Sequence, residues 1–209
     1  MKRFMYRLER IVSKIAVDNL MLILIGAMGI VYIAGMMFPE LYTLLYFDRA
    51  LIMSGQVWRV FTFLLIQDGS LLQFVLFAYF YWWIGSSLES YWGKAKFCTY
   101  YYIGMVALIV AGFIAGYSTA TYLNLSLFFA FAMLDPNREI LLFFILPVKI
   151  KWIAWLDAAF FVYAFIFSTF VGRLAILASV LNFFLFFYDD FIRRIRLLIW
   201  DIKYKMRNK

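Results

Sequence analysis

Long apolar runs separated by short charged breaks are the first pattern along the chain. Residues 1–19 differ from the rest. Phe4, Met5, Leu8, Ile11, Val12 and Ile15 recur at helical spacing among Lys2, Arg3, Arg7, Arg10 and Lys14. That spacing predicts a basic amphipathic helix lying on the inner leaflet of a membrane. The next run, Leu20 to Phe38, is apolar throughout and stops at Pro39. It is too long for the apolar core of a cleaved signal peptide, and no A-x-A site follows, so it reads as span 1. Span 2 is predicted from about Ser70 to Glu89 and span 3 from about Lys96 to Gly116. Span 4, about Thr119 to Leu134, covers only roughly 24 Å at 1.5 Å per residue, short of a hydrocarbon core of roughly 30 Å. Span 5 is predicted from about Trp152 to Phe170 and span 6 from about Leu174 to Tyr188. The tail, 189–209, mixes Phe191, Ile192, Ile195 and Trp200 with Arg193, Arg194 and Arg196 and predicts a second basic amphipathic surface helix.

Two connections carry more than slack. Residues 39–69 are too polar to span and too long for a bare loop. Within them Gly55 to Ile66 predicts a helix lying partly in the interface, with Trp58 as headgroup anchor and Arg59 as a charged cap. Residues 138–151 hold an apolar run too short to cross a membrane, ILLFFILP, before Val148, Lys149 and Lys151. They are expected to skim the inner interface. The stretch Tyr79 to Phe97 closes span 2 with an aromatic band (Trp82, Trp83, Trp92), a small-residue patch (Gly85, Ser86, Ser87), Glu89, Gly93 and two lysines. Aromatic rings with a polar edge collect at the bilayer surface, and lysines beyond them mark the cytoplasmic side. With six spans, of the 20 Lys and Arg only Arg49, Arg59 and Arg173 fall on the far side. The bias places both termini in the cytoplasm.

Composition fixes the solvent. A chain of 209 residues that is 67% hydrophobic and 15% charged cannot hide its apolar surface in water. It is expected to be an integral membrane protein, and the absence of signal and retention sequences favours a bacterial inner membrane. The net charge of +8 is explained by anionic lipid and topology, not by nucleic acid. Cys98 is the lone cysteine and histidine is absent, so no metal or cofactor site is expected. Within the spans, Gln73, Asn124 and Asn182 are amides that would bond helix to helix or touch a bound helix. Asp157, near the start of span 5, is a functional candidate by position, although Lys151 lies close enough in sequence to pair with it.

Six spans, a long loop after the first, and a short fourth span together resemble the rhomboid superfamily. Four local motifs agree: Trp58–Arg59 in the first loop; Gly85, Glu89, Trp92 and Gly93 at the end of span 2; Pro136–Asn137 leaving span 4; and Pro147 to Trp152 leading into span 5. The resemblance implies an all-α, six-transmembrane-helix, rhomboid-like bundle over residues 20–188, with a short central fourth span. Basic amphipathic helices flank it at 1–19 and 189–209.

Rhomboid proteases use a serine in a G-x-S-G turn, a histidine base in span 6, and a histidine and an asparagine in span 2. Serine needs a neighbour to take its proton, and the oxyanion needs donors. Carried over by spacing, the nucleophile position falls near Thr121, without either glycine. The span 2 pair falls near Gln73 and Phe77, and the base near Ile176. No register supplies a histidine. The resemblance therefore implies an inactive, derlin-like relative, not an enzyme, that binds transmembrane segments of client proteins in trafficking, quality control or scaffolding. Gln73, Asn124, Asn182 and Asp157 are its candidate client contacts; any cytoplasmic partner stays open. Two other classes were weighed. A small transporter or channel would need inverted repeats or a continuous polar path, and the sequence carries neither. An unorthodox protease would need a base near Thr121 or Ser126, and Tyr188–Asp189 lacks the G-x-G-D partner of the aspartyl type.

Overall fold

The computed structural model describes residues 2–142 and 146–207, with side chains described over 6–140 and 147–188. It is mostly helical. Among the described residues five helices are long and apolar enough to cross a membrane: α2 (Leu20–Met37), α6 (Leu71–Trp92), α7 (Lys94–Ala115), α9 (Ile150–Phe167) and the first half of α10 (Phe170–Arg207). The expected fourth span is α8 (Thr121–Leu134), a 14-residue helix, about 21 Å long. It falls below spanning length, so the count by length is five, not six. Before these lies α1 (Lys2–Val12), which packs against α7.

The apolar runs became helices for a local reason. In lipid only a helix satisfies every backbone N–H and C=O within one segment. Their ends follow local chemistry. At the start of α6, Ser70 Oγ accepts from Gln73 N–H while Gln73 Oε1 accepts from Ser70 N–H, a reciprocal capping box. Gly93, at φ 77, turns α6 directly into α7, a conformation that side-chain-bearing residues rarely adopt.

α8 is the hub. It packs against α6, α7, α9 and α10, and Leu123, Leu127, Ala130 and Phe131 are fully enclosed. α10 packs chiefly on α7, where Ala175, Ser179 and Asn182 form its buried face. Asn182 Nδ2 donates to the Tyr100 carbonyl at 3.2 Å, and Tyr100 Oη reaches Ser126 Oγ at 3.0 Å, linking α10, α7 and α8. Trp92 lies against Tyr100 and Phe187, both with centroids at 5.6 Å, so it wedges α6 into α7 and α10 rather than standing in a surface belt. Trp82 is the exposed member of that band.

Three expectations are corrected. Residues 138–151 do not simply skim an interface. Glu139–Leu142 (β1) and Leu146–Lys149 (β2) pair as an antiparallel hairpin, with Glu139 opposite Lys149. The fold remains a helical membrane bundle, with one small hairpin between α8 and α9. Span 6 and the tail are one continuous 38-residue helix, α10, with no break at residue 189. The side chains of the tail's basic residues lie outside the described set.

The third correction concerns Arg59, a charged cap that serves α3 and not the helix it begins. The 39–69 connection folds into α3 (Glu40–Leu45), α4 (Arg49–Met53) and α5 (Arg59–Thr62), the last followed by a 3-10 turn over Phe63–Leu65. Arg59 is 3% exposed. Its Nη1 donates to the carbonyls of Thr43 (2.8 Å) and Tyr46 (2.9 Å), and its Nε to Gln56 Oε1 (2.7 Å). Trp58 Nε1 donates to the Leu44 carbonyl and Thr62 Oγ1 to that of Leu45. Four consecutive carbonyls at the end of α3 are thereby satisfied by side chains at the start and end of α5. These are the groups a helix C-terminus leaves unpaired, and a cation there also meets the negative end of the helix dipole.

Candidate functional site

The small-residue patch of α6 positions the wall of the site. A Cβ on Gly85 would come within 1.9 Å of Met21 Cγ, so only glycine lets α2 approach here. One turn on, Glu89 Oε1 accepts from the backbone N–H of Asn19 at 2.9 Å and holds the start of α2. Lys94 pairs with Asp18 at 3.0 Å, and Cys98 Sγ donates to the Val17 carbonyl at 3.5 Å. The G-x-x-x-E spacing therefore has a mechanical reason: residues i and i+4 share one helix face, and both grip the same neighbour. On the opposite side, Arg138 lies over the rings of Trp83 and Phe131, at 5.1 and 5.9 Å. The Asp135–Pro136–Asn137 turn is held by Lys151 N–H donating to the Pro136 carbonyl at 3.0 Å.

With α2 drawn to one face of α6, the other face is left open. α6 and α9 both pack on α8 but barely touch each other. Between them lies a cavity of about 890 Å³. Its walls are mainly aromatic and aliphatic, among them Phe77, Phe80, Leu125, Phe128 and Phe160. Its polar groups are Gln67, Tyr81, Thr121, Asn124, Asp157 and Tyr163. Leu156, Phe160 and Tyr163 on α9 are exposed, so the cavity is a slot open toward the surface that lipid would cover.

The sequence candidates divide at this slot. Phe77, Thr121, Asn124 and Asp157 line it together. Asn124 Oδ1 accepts from the Tyr81 hydroxyl, a bond between α8 and α6. Thr121 Oγ1 lies 2.9 Å from Thr119 Oγ1, so its hydroxyl faces another hydroxyl and not a carbonyl one turn back. Ser126 Oγ does bond a nearby carbonyl, that of Leu123, at 2.7 Å. Gln73 is an exposed capping residue outside the slot, so it is no buried amide for a guest. Ile176 packs with Phe161 and Ala164 behind α9 and is likewise outside it. Asn182 belongs to the α7–α10 contact, where its Oδ1 is buried without a partner. Pairing of Asp157 with Lys151 does not form. The residues differ by six positions, which puts them on different helix faces, and the Lys151 ammonium lies 5.7 Å from the Trp152 ring centre. Asp157 Oδ2 is buried with no hydrogen-bond partner among the described residues.

Gln67, Tyr81 and Tyr163 were not singled out from the sequence. Gln67 sits in a connection whose fold depends on Arg59, and the two tyrosines are hidden in aromatic-rich runs with no local mark. At the mouth near Gln67, a polar pocket of about 90 Å³ brings Asp68 and Tyr46 together. The Tyr46 hydroxyl donates to Asp68 Oδ1 at 3.2 Å. Burial, and then the Asp68 carboxylate, push the Tyr46 phenol up to about 12.

No metal-holding cluster of acids and thiols occurs among the described residues. The fold and the slot define an integral, multi-pass membrane protein. The chain matches no protein-family model and no curated protein.

Proposed function

We propose that this chain is a rhomboid-like membrane protein without protease activity, and that the slot between α6 and α9 receives transmembrane helices of client proteins. The roles open to such a protein are trafficking, quality control or scaffolding. The observation that carries the reading is the slot itself, which gathers Phe77, Thr121, Asn124 and Asp157 beside a 14-residue helix. Two of the positions matched to protease residues, Phe77 and Thr121, share it. The chain has no histidine, so the base that rhomboid proteases use for their nucleophile is missing. In this reading α8 is the short fourth of six spans and both termini face the basic, cytoplasmic side of a bacterial plasma membrane. A bundle built around a helix of about 21 Å thins the bilayer at the open slot, and a client with a short or partly polar transmembrane stretch recovers mismatch cost there.

The test is site-specific photo-crosslinking in membranes. A crosslinking residue at Leu156, exposed on the slot side of α9, is compared with one at Met36, exposed on α2. Adducts to transmembrane segments concentrated at Leu156 support the reading. Equal capture at both positions, or proteolysis of a captured segment, overturns it.

A further inference from the structure

The slot contains one acidic group and no basic one. All its other described lining residues are uncharged, and Asp157 has a buried oxygen with no hydrogen-bond partner among the described residues. The neighbouring cation that would most easily reach it is turned onto Trp152. Asp157 lies seven residues past the start of α9, roughly 10 Å along the helix and well inside the apolar zone. A lone acid in such surroundings is costly, and membrane acids normally face a partner. The described residues supply none, so a guest would complete the pair.

We infer that the α6–α9 slot selects transmembrane helices carrying a lysine or arginine about 10 Å from their cytoplasmic end, the cation pairing with Asp157. This rests on the client-helix reading and adds to it the chemistry of the client. The length of the slot along α9 matches a short stretch of helix. The lining of α9 runs from Ile153 to Tyr163, roughly 15 Å or just under three turns. A flexible lysine or arginine stem packs along aromatic walls while its head reaches the acid. Asn124 is already engaged by Tyr81, and of the remaining polar groups Asp157 is the one that can carry a charge to match a cation.

The experiment uses the full chain in nanodiscs and four fluorescent single-span peptides of one leucine-rich sequence. One carries leucine throughout, one lysine at the matching depth, one glutamate there, and one lysine at the far end. The expected result is binding of the depth-matched lysine peptide at least tenfold tighter than the leucine peptide. The far-end lysine peptide should gain nothing, and the glutamate peptide should bind weakest. D157N should bring the lysine-to-leucine ratio to near one while leucine-peptide binding persists, and D157E should keep the preference. Equal binding of the lysine and leucine peptides, or a preference that survives D157N, overturns the inference while leaving the client-helix reading intact. Failure of every peptide to bind overturns both.

Discussion

Replacing Arg59 with methionine keeps much of the side-chain volume and removes three hydrogen bonds. The Thr43 and Tyr46 carbonyls and Gln56 Oε1 then lose their partner at a site that is 3% exposed. Each bond involves a charged donor and is worth about 1.5–3 kcal/mol net. Against the gross sum stands the desolvation that the guanidinium no longer incurs, which offsets a large part of it. The expected local destabilisation is about 3–5 kcal/mol, in line with breaking a buried charged network. Hydrogen exchange of the purified protein in detergent reads it directly. Amides of residues 40–66 should exchange roughly two to almost four decades faster, at about 1.4 kcal/mol per decade, while α7 and α8 keep their protection. Arg59→Lys should fall between, since an ammonium keeps the charge but not the planar fork. If R59M leaves exchange in 40–66 within a few-fold of the native chain, the capping of α3 by Arg59 is not what holds this connection.

Gly85→Val should lower the melting temperature in detergent by an amount matching about 1–3 kcal/mol of overpacking, because even its Cβ meets Met21; an unchanged melting point would refute the tight α2–α6 contact. The Tyr46 phenol, raised to about 12, contributes stability that is complete below the unfolded value of about 10 and is lost as pH rises toward 12. Unfolding followed across that window should steepen with pH in the native chain and flatten in Tyr46→Phe; identical profiles would contradict the pocket at Asp68. A fluorophosphonate probe should leave Thr121 and Ser126 unlabelled by mass spectrometry, whereas an adduct on either would mean that some base activates them.

What could be read from the sequence was local. The ends of α2 and the brevity of α8 follow from where apolar residues stop, and lipid makes each such run helical. The β1–β2 hairpin was harder. Its apolar run carries no alternation, and the clue was Glu139 and Lys149 bracketing it, which become cross-strand neighbours. Arg59 was misjudged because its partners lie 13 and 16 residues back, on a helix that is not visible as a separate element. Gln73 looked like a buried amide because the capping box was not read from S-x-x-Q, although the spacing was present. The slot depends on α6 and α9 failing to meet, and no sequence window contains a gap between helices.

The unbroken α10 changes how a signal could travel. At 38 residues it measures roughly 57 Å, nearly twice the thickness of a hydrocarbon core. Its buried half is fixed to Tyr100 through Asn182. Without a hinge between the halves, a protein that grasps the far end would hold a lever, and its pull would arrive as tilt at the α7–α8 junction.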